Sequence, residues 1–129
     1  MTSVLLRHVS AGDREGWDGD DRLRPLDARG RRQAAELVEL LGPLGMRRVV
    51  SSPYVRCVAS VEPLAAALGL PVEQDDRLAE GAGSSARALV HEDGVVCCTH
   101  GDIVEDVIGR GLRKGAAVVL SDGKVVREL

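Results

Sequence analysis

Val4-Leu5-Leu6-Arg7-His8, read together with Val95-Val96-Cys97-Cys98-Thr99-His100-Gly101, decides the fold of this chain. Each stretch opens on a short apolar run without polar alternation, the pattern of a strand buried on both faces of a parallel sheet. Each run leads into a histidine. Open α/β sheets bind ligands at the carboxyl ends of their strands, so two histidines placed there predict one shared site. Arg7 stands beside the first histidine, and Arg56 follows a third apolar run. Guanidinium groups match the geometry of phosphate and carboxylate oxygens, so the expected site is a pocket for an anion.

Working outward, the first strand covers 3–7. Residues 10–25 are polar, with Gly12, Asp13, Arg14, Gly16, Asp18, Gly19, Asp20 and Asp21, and read as a long loop of the kind that often carries function. Trp17 could cover a pocket there; the expectation is that it anchors the loop to the core. A helix follows, with Asp27 as N-cap and Ala34, Leu37, Val38 and Leu41 at helical spacing before the Gly42-Pro43 stop. A second strand is expected over 46–50. Ser51-Ser52-Pro53 then reads as strand end, N-cap and first helical position, where the missing proline N–H costs nothing. Val55, Val58 and Ala59 continue that helix, Pro63 is expected to break or kink it, and Leu64, Ala65 and Leu68 carry it to Gly69. A short third strand over 70–73, a loop over 81–85 and a short helix over 86–91 precede the fourth strand, 95–98. The helix after Gly101 carries Ile103, Val104, Val107 and Ile108. The runs 116–121 and 124–128 flank Asp122-Gly123, a pair favoured in type I′ turns. The expected fold is α/β: a three-layer sandwich in one domain over 1–129, with a mainly parallel central sheet, helices on both faces and a C-terminal antiparallel hairpin.

Composition narrows the function. At 129 residues the chain can bury its own core, which an aromatic content of 2% obliges it to build from Val, Leu and Ala. Base-stacking platforms are therefore not expected, and the net charge of -3 gives no basic footprint for a nucleic-acid duplex. Fifteen arginines stand against two lysines, a bias that suits phosphate but that genomic base composition accounts for equally. Strand residues begin almost at Met1, so no signal peptide is expected, and no apolar stretch approaches a membrane span. Cys57, Cys97 and Cys98 lack metal-ligand spacing, and the adjacent pair should point to opposite faces of its strand. They read as buried thiols in a reducing cytoplasm, and neither a metal nor another cofactor is expected.

The strand-end residues also resemble a known family. Leu6-Arg7-His8, Ser51-Ser52-Pro53 with Arg56, Glu80, and Thr99-His100-Gly101 are similar, in this order, to the histidine phosphatase superfamily, also called phosphoglycerate-mutase-like. Arg24-Pro25-Leu26-Asp27 with Gly30 and Gln33-Ala34 resembles its short phosphohistidine-phosphatase branch. The stretch 7–35 is also similar to the phosphatase half of actinobacterial proteins that fuse a Nudix domain to this fold. The resemblance implies that His8 is a nucleophile forming a phosphohistidine that water then cleaves. It implies that Arg7, Arg56 and His100 hold the phosphoryl oxygens, and that Glu80 donates a proton to the leaving group and later activates water. Arg24 either lines the phosphate pocket or pairs with Asp21. The implied substrate is a phosphohistidine or phosphate monoester, on a phosphorylated protein or a small phosphorylated metabolite, with no metal, nucleic acid or membrane involved.

Two departures qualify this. Val9 follows His8 where the commonest family motif has Gly, which leaves the shape of the phosphate loop open. The long insertions of phosphoglycerate mutases are missing, which argues against mutase activity and for a shallow, open site. The alternatives are a nucleotide or small-molecule phosphatase, or a phosphate-binding or protein-interaction module of the same fold with little catalysis. A phosphoacceptor receiver domain is rejected, since it needs acidic residues where this chain has Arg7-His8. If His8 must be neutral to attack and His100 must donate, activity should vary with pH near the histidine range.

Overall fold

The computed structural model describes residues 1–129. Six strands form one mixed sheet: β1 (Ser3–Arg7), β2 (Arg48–Ser51), β3 (Val72–Gln74), β4 (Val95–Thr99), β5 (Ala117–Ser121) and β6 (Lys124–Glu128). They lie in the order β3-β2-β4-β1-β5-β6, with the first four parallel and β5 and β6 forming an antiparallel edge. The helices are α1 (Ala28–Leu41), α2 (Val55–Leu68), α3 (Arg87–Val90) and α4 (Gly101–Ile108).

The direction of travel explains the layers. From β1 the chain steps past the β4 position to β2 and on to β3, then returns to insert β4 and crosses to β5. Right-handed crossovers put helices made on the outward and return legs on opposite faces. The core divides accordingly. Val4, Leu6, Val96 and Cys98 pack with Leu37 and Leu41 of α1 and Val61 and Leu64 of α2. Leu5, Val95 and Cys97 pack with Leu89 and Val90 of α3 and Ile103 and Val104 of α4. Cys97 and Cys98 thus face opposite ways, as strand alternation requires. The reversal lies between β4 and β1, which is where an open α/β sheet places its ligand crevice.

Several boundaries differ from the sequence expectation. The helix expected to begin at Pro53 starts at Val55 with Tyr54 as its N-cap, because Ser52 is still tied to the sheet by its N–H to Cys98 O (3.0 Å). Pro63 neither breaks nor ends α2, which is continuous from Val55 to Leu68. Pro63 is exposed, so the carbonyl its ring leaves without a donor faces water, where that loss is least costly. The buried stripe of α2 is Arg56, Cys57, Ser60, Val61 and Leu64 rather than Val55, Val58 and Ala59. β3 begins at Val72, two residues later than expected, and the 81–85 loop closes in a 3-10 turn, Gly83–Ala86. The hairpin turn matches its expectation: Asp122 and Gly123 have φ of 52° and 76°, the positive pair a type I′ turn demands.

Candidate active site

Register sets the site. Arg7 pairs with Thr99 and Ser51 with Cys98, so β1, β4 and β2 end level. The ladder runs one step further, with His8 N–H donating to Thr99 O (3.0 Å). His8, Ser52 and His100 therefore leave the sheet at one edge. The rings of His8 and His100 lie 5.5 Å apart, centroid to centroid, with only 5% and 3% of either residue exposed. The two histidines expected to share one site are thus neighbours.

His8 Nδ1 lies 2.8 Å from Val9 O. A carbonyl oxygen only accepts, so Nδ1 carries the ring proton and Nε2 keeps its lone pair. Burial, aided by the charges of His100, Arg56 and Arg7, lowers the His8 pKa to about 3, against the opposing Val9 hydrogen bond. With its pKa this low, His8 is neutral across the histidine range, so a pH dependence of activity there would not come from His8. Val9 resolves the open question beside it. Its backbone is not in the left-handed region, and its side chain is fully buried against α1 and α2. Burying a valine in this way contributes roughly 1.5–3 kcal/mol. The Val9 N–H donates to Ser60 Oγ (3.0 Å).

The first turn of α1 clamps the chain just after Val9. Asp27 accepts from Ser10 Oγ (2.7 Å) and from the Gly30 N–H (2.7 Å), while Gln33 Oε1 accepts from the Ser10 N–H (2.8 Å). A Cβ on Gly30 would sit 1.8 Å from Ser10 O, so only glycine permits this approach.

His100 is held from behind. Its Nε2 lies 2.8 Å from Ser52 Oγ, which also accepts from the Tyr54 N–H (3.3 Å). The Ser52 hydroxyl, with one donor and two acceptor lone pairs, can accept the Tyr54 N–H and still bond Nε2, which leaves Nδ1 turned toward Glu80. Tyr54 meets the ring edge-on with centroids 4.6 Å apart. Arg7 donates through Nη1 to Leu112 O (2.8 Å), and its guanidinium passes where a Cβ on Gly101 would be 3.2 Å away. Arg56, only 1% exposed, donates through Nη1 to Asp21 O (2.9 Å) and through Nη2 to Asp21 Oδ2 (3.2 Å) and Glu80 Oε2 (2.9 Å). Glu80 also pairs with Arg14 (3.3 Å) and lies 4.0 Å from His100 Nδ1.

The buried side-chain nitrogens and oxygens that lack a hydrogen-bond partner are Arg7 Nε, Arg56 Nε and His100 Nδ1. All three belong to the strand-end cluster. A buried donor left without an acceptor costs about 1–3 kcal/mol, and an anion supplies acceptors.

An open cleft of ≈460 Å³ leads to this cluster, lined by Arg7, His8, Ser10, Arg14, Arg24 and Lys114 among others. Arg56, His100 and Glu80 are not on its wall: Arg56 and His100 are buried, while Glu80 is exposed and pairs with Arg14 of the lip. Arg24 pairs with Asp21, one of its two sequence alternatives. It lines the cleft, but its donors go to Asp21 Oδ1 (3.1 Å) and to the Ala11 (2.9 Å) and Gly12 carbonyls, so it shapes the lip. Asp21 gathers Arg14, Arg24 and Arg56; although burial raises its pKa, the Arg24 hydrogen bond and the Arg56 charge bring the net value below the usual carboxylate range. Trp17 does not reach the core. It is 37% exposed and donates from Nε1 to Asp20 O (2.9 Å), bracing the lip against itself. Sequence reading paired Asp21 with Arg24 but not with Arg56, and it did not single out Ser52 as the partner of His100 or Ser60 as that of Val9, although for Ser52 the Ser-Ser-Pro motif was the available signal.

The sequence profile of the histidine phosphatase superfamily (branch 1) matches residues 4–92. The 8-oxo-(d)GTP phosphatase of Mycolicibacterium smegmatis (strain ATCC 700084 / mc(2)155) is 35% identical over 148 residues, which cover 97% of this chain and 46% of that protein. The chain thus spans less than half the length of this relative. The crystal structure of SixA from Agrobacterium tumefaciens, provisionally described as a phosphohistidine phosphatase, superposes with a TM-score of 0.80 at 21% identity, over 99% of this chain and 96% of that one. The protein histidine phosphatase SixA complexed with tungstate gives a TM-score of 0.72 at 22% identity, over 100% of this chain and 95% of that one. No helix is long and apolar enough to cross a membrane. The extent of the profile match and the shared fold make this chain a member of the histidine phosphatase superfamily (branch 1), built like its short, SixA-like members.

Proposed function

We propose that the protein is a phosphatase that works through a covalent phosphohistidine on His8 and needs no metal. The observation that carries this reading is the set of buried nitrogens without a partner, the donors Arg7 Nε and Arg56 Nε with His100 Nδ1, beside a neutral imidazole. His8 Nε2 attacks phosphorus in line, and the N–P bond forms as the bond to the leaving group breaks. Arg7, Arg56 and His100 hold the phosphoryl oxygens and stabilise their charge in the transition state. Glu80 gives a proton to the leaving atom. It then takes one from water, which attacks phosphorus, releases phosphate and returns His8 to its neutral state.

The substrate is a phosphohistidine or a phosphate monoester, on a protein or on a small phosphorylated compound. The open cleft suits either, as do the phosphohistidine and 8-oxo-(d)GTP substrates named for the relatives. The three free cysteines, all buried, suit a cytoplasmic location. A second reading, phosphate binding with little turnover, draws on Asp21 and Glu80 already occupying Arg56. One assay separates the two. Wild type with chelator present should hydrolyse an aryl phosphate, and His8→Ala should be slower by at least about a thousandfold. Equal rates in the two proteins would refute the assignment.

A further inference from the structure

A larger cleft, ≈970 Å³, adjoins the one that leads to His8, and Arg7, Ser10 and Lys114 line both. It runs between α1 and the connection entering β5. Its end nearest His8 is cationic, with Arg29 at the start of α1, Arg113 and Lys114. Nine of the fifteen arginines form ion pairs in this fold, whereas Arg29, Arg113 and Lys114 form none; the Asp27 carboxylate near Arg29 and Lys114 is already held by Ser10 and the Gly30 N–H. The acidic side chains of the cleft, Glu36 and Glu39, sit further along α1. Arg29 and Glu36 are seven residues apart, which is about 10 Å along a helix. Leu37 and Leu40 flank that far end, and Leu40 is exposed.

We propose that this cleft receives the remainder of a substrate whose transferred phosphoryl group is joined to a second one: an organic diphosphate. The proposal rests on the phosphatase reading above and names its substrate class. The second phosphoryl group lies against Arg29, Arg113 and Lys114, and the body of the molecule runs over Leu37 and Leu40. A like-charged body is disfavoured by Glu36 and Glu39, so the remainder is neutral or cationic. In the reaction, His8 Nε2 bonds to the terminal phosphorus as its bond to the bridging oxygen breaks. That oxygen leaves on an organic monophosphate, and water then releases inorganic phosphate from His8.

Calorimetry with two non-hydrolysable probes tests this without turnover. Methylenediphosphonate should bind the wild-type chain at least tenfold more tightly than methylphosphonate. The double variant Arg29→Gln/Arg113→Gln should lose that preference while its methylphosphonate affinity stays within twofold. Both side chains are exposed and form no ion pairs, and circular dichroism checks that the variant folds. Equal affinities for the two probes in wild type, or a preference that survives the double variant, overturns the second subsite and leaves the phosphatase reading standing. Failure of both probes to bind wild type removes the phosphate pocket itself.

Discussion

Arg56 at the floor of the site is 1% exposed and Arg14 on its lip is 59% exposed, yet both hold the same two carboxylates, Asp21 and Glu80. The floor is fixed by the sheet: His8 and Ser52 make the last ladder bonds of their strands, and His100 stands at the head of α4. The lip is fixed by ion pairs and by Trp17 folding onto Asp20. Arg14 and Arg22 hold the lip through exposed ion pairs that contribute about 0–1 kcal/mol each, whereas Asp21 answers the buried Arg24 and Arg56. Removing a partner from a buried charge costs several times more. In the proposed phosphatase the floor carries the chemistry and the lip governs access, with the phosphoryl group taking the place of Asp21 on Arg56.

Substitutions on the two sides should differ sharply. The largest effect is expected at the floor. Arg56→Lys keeps the charge but loses the planar fork that spans Asp21, Glu80 and an anion, and kcat/KM on an aryl phosphate should fall by about a hundredfold or more. A fall of less than about threefold would erase the distinction drawn here.

The floor should also leave a signature in acid. Folded His8 stays neutral to about pH 3, whereas in the unfolded chain it protonates near its ordinary value of 6.5. Between those values the unfolded state binds a proton that the folded state does not. Stability is therefore lost as pH falls through this window. Between pH 7 and pH 4 wild type should lose roughly 3 kcal/mol more than His8→Ala, measured by urea unfolding at each pH. Parallel pH dependence in the two proteins would place His8 in contact with solvent.

The smallest effect belongs to the lip. Asp21→Asn keeps the shape but removes the charge that competes for Arg56, so KM for an aryl phosphate should drop a few-fold with little change in kcat. A raised KM would make Asp21 a positioning partner of Arg56 instead of its competitor.

The same contrast governs what could be read from sequence. His8 and His100 were legible because each follows an apolar strand, and the period of a strand and the end of a run are local properties. Gly30 could be quoted as part of a resemblance, but its reason, the 1.8 Å approach to Ser10 O, is a contact across the fold. α2 misled because its buried stripe holds Arg56, Cys57 and Ser60, so hydropathy pointed at the half-exposed Val55 and Val58. The start of α2 was misplaced because Ser52 serves His100 from the next strand, a demand invisible to capping rules. On the lip, Asp13, Asp18, Asp20 and Asp21 look alike in sequence. Only the fold brings the last of them to Arg56.

Rapid-quench trapping tests the central claim most directly. Wild type mixed with a labelled phosphodonor and quenched in alkali should yield an acid-labile phosphoenzyme whose label maps to His8 and decays at the turnover rate. No label, label on another residue, or an equal yield from His8→Ala would contradict the account.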